Sequence, residues 1–194
     1  MERSTVSHVS YGHDAVLVRV LGLGAGGHGP ARALAAVADA GATAEMLTLL
    51  AADGEVRFVT RRADRAAVAA VLSDAFAGDP RVAVRCRADV VRLVLHGEGL
   101  RVDARIVPSF QEALLGVGVT ALAMSVANRS VEAVCEAAAL PRALWSLCTA
   151  FGCPPGPARV PGPGSVPGPG SGPAPVSDLA PHVRAAGHAS AAPL

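Results

Sequence analysis

Asp53-Gly54-Glu55-Val56-Arg57-Phe58-Val59-Thr60 decides the fold of this chain. Asp-Gly is a favoured pair for a two-residue hairpin, because both central positions of that turn need a positive φ. The six residues after it alternate polar and apolar, as a half-buried antiparallel strand does. Residues 42–50 read as the other arm of the hairpin. Before them, Ala15-Val16-Leu17-Val18-Arg19-Val20-Leu21 reads as a buried strand. A glycine-rich loop follows, then an alanine-rich amphipathic helix with Pro30 in its first turn and Gly41 at its end. After the hairpin, residues 61–77 predict a helix with Ala67, Val71 and Phe76 inward. Residues 81–87 alternate again, with Val82, Val84 and Cys86 on one face. The order is β-α-β-β-α-β, the ferredoxin-like arrangement of an α+β fold.

The hairpin also decides how Gly22, Gly24 and Gly27 are read. They match G-x-G-x-x-G between a strand and a helix, with Glu45 downstream, but a dinucleotide fold requires another parallel crossover where this chain turns back antiparallel. The general chemistry of the loop survives: free N–H groups at a helix start suit an anionic group, such as the carboxylate of an amino acid.

A shift of 77 residues repeats the pattern. Gly41-Ala42-Thr43-Ala44 falls on Gly118-Val119-Thr120-Ala121, Gly22-Leu23 on Gly99-Leu100 and Glu55 on Glu132; after a two-residue deletion Phe76 falls on Phe151. The second copy then has strand 90–96, helix 106–115, hairpin strands 119–126 and 130–135, and helix 141–151. Gly152-Cys153-Pro154-Pro155 stands where its last strand belongs, and prolines do not serve in a central ladder. Residues 4–10 are expected to return from the N-terminus and fill that gap. The boundaries that follow are an N-terminal segment 1–14, a first domain 15–88, a second domain 89–152 and a tail 153–194. The 42 residues of the tail hold 11 of the 15 prolines and 7 of the 21 glycines, too little apolar content to offset the cost of ordering, so disorder is expected there.

Composition narrows the chemistry. All 17 basic residues are arginine, which excludes a Walker-type phosphate loop and Schiff-base catalysis. A net charge of +1, with the arginines interleaved among 16 acidic residues, gives no nucleic-acid footprint. No run is apolar enough for a membrane span and the N-terminus lacks a signal-peptide pattern, so a cytoplasmic protein is expected. Cys86, Cys135, Cys148 and Cys153 form no C-x-x-C pair and read as free thiols. His8 and His13 flank Tyr11 without a further ligand set, so no metal is expected there. His28 reads as solvent-exposed or as a donor to a carboxylate, and Trp145 and Met124 as core or interface residues. No nucleophile constellation or cofactor motif is present.

These stretches resemble the tandem ACT domains of the regulatory region of aspartate kinase. The resemblance runs through Val18-Arg19-Val20-Leu21-Gly22-Leu23 and Val37-Ala38-Asp39-Ala40-Gly41-Ala42-Thr43-Ala44-Glu45-Met46. It continues with Phe58-Val59-Thr60, Val94-Leu95-His96-Gly97-Glu98-Gly99-Leu100-Arg101 and Phe110-Gln111-Glu112-Ala113-Leu114, and covers nearly all of residues 1–152. The start of the chain looks like that of the separate regulatory subunit some bacteria make, which implies a non-catalytic protein and an aspartate kinase catalytic subunit as partner. The resemblance further implies a homodimer joined through its ACT domains, and an amino-acid effector, threonine or lysine, that controls aspartate-family biosynthesis.

The effector site it implies combines Gly24, Ala25, Gly26, Gly27, His28, Pro30, Ala31, Thr43, Glu45 and Leu49 of the first domain with Val119, Thr120, Val126 and Ala127 of a partner's second domain. Ala25-Gly26-Gly27-His28 replaces the family's Asp-Lys-Pro-Gly turn, which removes the anionic partner of the effector's ammonium group. Thr43 stands for an asparagine, Leu49 for a glutamine, and Val126-Ala127-Asn128 for Thr-Ser-Glu. Two other readings stay open: a dimer scaffold without ligand, and a sensor of a less polar amino acid, which Leu49 and Ala25 would suit.

Overall fold

A computed structural model describes residues 5–24, 27–50, 52 and 54–158. The first sheet contains β2 (Ala15–Leu21), β3 (Glu45–Leu50), β4 (Glu55–Arg61) and β5 (Ala83–Arg87), in the order β3-β4-β2-β5 and antiparallel throughout. Helices α1 (His28–Asp39) and α2 (Arg65–Ala75) cover one face. Val16, Val18 and Val20 meet Ala33, Val37, Val68 and Leu72 there, together with Phe58 of β4. Each large side chain fully buried in this way stabilises the fold by about 2–3 kcal/mol.

The second sheet repeats the plan with β6 (Val90–Glu98), β7 (Ala123–Val126) and β8 (Ser130–Glu136), covered by α3 (Ile106–Leu115) and α4 (Leu140–Phe151). Its missing strand is β1 (Thr5–Gly12), which lies antiparallel to β6 from Thr5 opposite Glu98 to Gly12 opposite Arg92. The N-terminus therefore completes the second domain, as expected. The tail departs from expectation at its start: Pro155–Ala158 forms β9, parallel to β1 at the edge of the sheet, and Cys153 is buried in the core. Prolines are tolerated there because an edge strand has one side with no ladder bonds to donate. The rest of the expected disordered tail, 159–194, lies outside the described residues, as do residues 1–4 and Asp53 of the hairpin turn.

The repeat is visible in backbone detail. Gly41 and Gly118 both have φ +67°, and the amides of Ala42 and Val119 donate back to Val37 and Leu114, closing α1 and α3 with the same left-handed cap. That cap draws Ala42 and Val119 onto the core, so the following strands start later than their sequence suggests, at Glu45 and Ala123. Two further corrections concern phase. The inward residues of α2 are Val68 and Leu72, whereas Ala67 is exposed and Val71 and Phe76 are half-buried. A short 3-10 turn, Arg62–Asp64, precedes α2 and resets its phase. Glu55 opens β4 and Ser130 opens β8, and the turns and helices that follow also keep this offset of 75 residues. Arg57, not Glu55, is thus the counterpart of Glu132; the two-residue deletion falls before β4, not after it.

The uncovered faces of the two sheets meet through Ala15, Leu17, Val59, Val90 and Val134, with Met46, Leu122 and Ala123 at the margin. Met46 sits at a bulge in β3 with φ +51°, and the adjoining Glu45 carboxylate lies 2.5 Å from Nη1 of Arg92 in β6. No helix among the described residues is long and apolar enough to cross a membrane.

Candidate functional site

The first-domain candidates lie around the start of α1 and along β3. Gly22 (φ +78°) lets the chain turn tightly out of β2, since a Cβ there would meet the carbonyl oxygen of Arg81 at 1.9 Å. Leu23 then donates to the carbonyl of Gly54 at 2.8 Å, which ties the loop to the hairpin. Gly24 and Gly27 are exposed, and Gly27 caps α1 with no side-chain hydrogen bond from a described residue to the first amides of the helix. Ala25 and Gly26 lie outside the described residues. Pro30 is half-buried and Ala31 exposed in the first turns. His28 is exposed at the rim of a cavity of about 210 Å³, with Leu23, Arg32, Phe76 and Asp79. The guanidinium of Arg32 lies 5.4 Å from the centre of the Phe76 ring.

Thr43 and Leu49 are exposed, Leu49 at 54%. Glu45, the nearest described carboxylate on β3, is engaged by Arg92. In the second domain Val126 and Ala127 form an exposed hairpin end, where the amide of Ala127 donates to Ser130 at 2.8 Å. Val119 is core, 2% exposed, and Thr120 lines a cavity shared with arginines of the first domain.

One cluster of charges among the described residues was not among the sequence candidates. On the uncovered face of the first sheet, Arg19 stands opposite Arg57 of β4 and Arg85 of β5. Three arginines thus cross three adjacent strands in one row. Glu55, 5% exposed, accepts two hydrogen bonds from each of two of them: Nε at 2.6 Å and Nη2 at 3.1 Å from Arg19, and Nε at 2.6 Å and Nη2 at 3.2 Å from Arg57. Hydrogen bonds from Arg19, then Arg57, outweigh burial and hold the Glu55 carboxyl at about 2, while Glu55 raises the pKa of Arg19. The side chain of Arg85 makes no hydrogen bond or ion pair to any described residue. The sequence signal was Arg19 inside an otherwise apolar strand and the alternation Glu55-x-Arg57 and Arg85-x-Arg87; only strand register could show that they share a row.

The remaining sequence candidates resolve simply. The rings of His8 and His96 stack at 4.4 Å, and Ser10 Oγ lies 2.8 Å from Nε2 of His96. Tyr11 packs on the second core, while Trp145 is 66% exposed on α4. All four cysteines are free, and burial pushes the Cys135 thiol up to about 11.

No family model matches the sequence, and no curated protein does. Solved structures do match. The ligand-free regulatory subunit of aspartate kinase from Thermus thermophilus superposes with a TM-score of 0.70 at 16% identity, over 76% of this chain and 98% of that one. The regulatory subunit from Thermus flavus gives 0.66 at 16% identity, over 76% and 99%. Aspartate kinase from Synechocystis gives 0.67 at 17% identity, over 80% of this chain but 28% of the longer enzyme. The fold of this protein is accordingly that of the tandem ACT-domain regulatory region of aspartate kinases, matched over nearly the whole length of the separate regulatory subunits.

Proposed function

We propose that this protein is a regulatory ACT-domain pair that dimerises through its sheet edges and binds a small amino acid at the seam, where the ligand shifts a conformation read by an aspartate kinase catalytic partner. The observation that carries this reading is the unequal treatment of the four sheet edges. β5 carries Arg85 and Arg87 and β9 carries two prolines, the devices by which soluble proteins blunt an edge. β3 and β7 are also terminal strands, yet β7 and the part of β3 beyond its bulge at Met46 carry no charge or proline and expose Leu47, Leu49 and Val126. An apolar edge left unguarded is suited to pairing with a second chain. The candidate residues Gly24, Gly27, His28, Pro30, Ala31, Thr43, Glu45 and Leu49 lie on or near one such edge, and Val126 and Ala127 on the other.

Sedimentation analysis of the full chain tests the seam: a dimer is expected, and Leu49→Arg should shift it towards monomer. Thermal melting with each of the twenty amino acids tests the ligand, because binding to the native state alone raises the melting temperature. Silence across the panel at millimolar concentration would overturn the sensor and leave the second reading, a dimer scaffold without ligand. That reading is favoured by the Glu45–Arg92 ion pair, which occupies the carboxylate an ammonium group would need. Co-purification with the aspartate kinase of the same cell tests the partner.

A further inference from the structure

We propose that the arginine row of the first domain is a binding site for a small dicarboxylate. Register places Arg57, Arg19 and Arg85 side by side on β4, β2 and β5, with neighbouring strands about 4.8 Å apart. Like charges directly opposite one another destabilise a sheet. Glu55 compensates one of the three and is fully used by Arg19 and Arg57, so the row keeps an excess of two positive charges centred on Arg85. Arg87, the next arginine on β5, is held by Asp89 at 3.0 Å and Glu136 at 2.9 Å; these two carboxylates exceed it by one negative charge, and Asp89 lines the same cavity, so the cavity margin as a whole keeps one positive charge, with Arg85 as its unpaired guanidinium.

The row opens into a cavity of about 520 Å³, roofed by Thr120, Ala121 and Leu122 of the second domain and floored by Leu17. That volume lies within the range of small-molecule sites, and an inorganic ion would leave most of it empty. Apart from the arginines, Asp89 and Thr120, the lining is apolar and suits a short carbon chain. The guanidinium fork of Arg85 matches one carboxylate in a two-pronged contact, and the outer edges of Arg19 and Arg57 meet the second.

The fold itself does not demand this row. At the same three positions of the second sheet stand Glu132, Val94 and Ser10, in the same register. Domain 1 therefore carries a destabilising arrangement that its own architecture does without, beside a cavity of ligand size. The site shares only Thr120 with the amino-acid reading and does not rest on it.

The test is titration calorimetry of the full chain with succinate at low ionic strength, alongside acetate, inorganic phosphate and sodium chloride. Saturable binding of succinate is expected, weakened about tenfold or more in Arg85→Gln. Arg105→Gln, the same charge change at a residue whose side chain is 93% exposed, should bind as the parent does. Arg85→Lys keeps the charge without the fork and should lose an intermediate amount, so the result does not hang on one variant. The proposal is overturned if succinate fails to saturate by about 10 mM, if phosphate, acetate or matched salt reproduces its signal, or if Arg105→Gln loses as much as Arg85→Gln. Aspartate and glutamate are dicarboxylates themselves, so their melts are repeated on Arg85→Gln; silence of the other eighteen amino acids would leave the succinate result standing, and the reverse holds equally.

Discussion

The uncovered faces of the two sheets hold the same row in opposite electrostatic forms. In the first domain Arg57, Arg19 and Arg85 cross three strands, and one carboxylate, Glu55, sits among guanidiniums. In the second, Glu132, Val94 and Ser10 occupy those positions, and one guanidinium, Arg92, sits between Glu132 at 3.4 Å and Glu45 at 2.5 Å. The helix-covered faces show no such contrast: both are apolar, built mainly from Val, Leu and Ala around one buried Phe, to which the second adds Ile106, Cys135 and Cys153. The covered face is constrained by packing density, so a repeat keeps its pattern there. The uncovered face is constrained only where the sheets touch, and beyond that contact the two copies were free to acquire different charges. Arg92 also differs in reach, since it joins the domains through Glu45 whereas Glu55 works within its own sheet.

The comparison is broken most severely at the strand each domain borrows or owns. Removing residues 1–12 takes β1 from between β6 and β9, exposing Val9 and the ladder of β6, and should abolish cooperative folding of the second domain. Loss of the second-domain transition in urea, followed by circular dichroism and hydrogen exchange, checks this. Glu55→Ala comes next. It leaves two opposed guanidiniums without their carboxylate and should cost about 3 kcal/mol, the low end for a broken buried pair because both arginines are about a third exposed. Glu132→Ala should cost less than about 1 kcal/mol, since Arg92 keeps Glu45. Equal losses in chemical denaturation would mean the two triads are equivalent after all.

Acid should act in the same direction as Glu55→Ala. The Glu55 pKa falls from 4.5 to about 2 on folding, so its contribution is complete above about pH 4.5 and is lost as pH falls towards 2. The stability gap between the parent and Glu55→Gln should therefore narrow over that window, in urea melts taken at successive pH values. The smallest effect is Arg85→Ser, which gives domain 1 the hydroxyl found in domain 2. Without ligand it should raise stability by about 0.5 kcal/mol or less by thinning the row of like charges; a clear loss would mean that Arg85 has a structural partner.

Much of this was legible in local signals. Ala15–Leu21 and Ile106–Leu115 have the bounds their patterns predict, and Gly41 and Gly118 end their helices where the repeat places them. The exchange of β1 into the second domain could be inferred because proline chemistry left a gap that an alternating segment could fill. Other features were out of reach for stated reasons. The phase of α2 depended on the turn at Arg62–Asp64, which carries no composition signal of its own. The pairing of Arg57 with Glu132 was hidden because Glu55 and Glu132 match by letter while the hairpin loops differ in length. Among the proposed effector residues, Val119 reads as the first residue of a strand at the site and is core, and Glu45 reads as an effector contact and is paired with Arg92.

By itself, the sequence determined the repeated ferredoxin-like unit, its helix ends and the use of the N-terminus as a strand, because period, caps and proline placement act over a few residues. Which charges meet is set by strand register and by the stacking of the two sheets. Register aligned Arg19 with Arg57, 38 positions away, and with Arg85, 66 positions away. Stacking of the sheets then brought Glu45 to Arg92 and set Thr120 over the arginine row, because electrostatic contacts follow distances in space that no local pattern encodes.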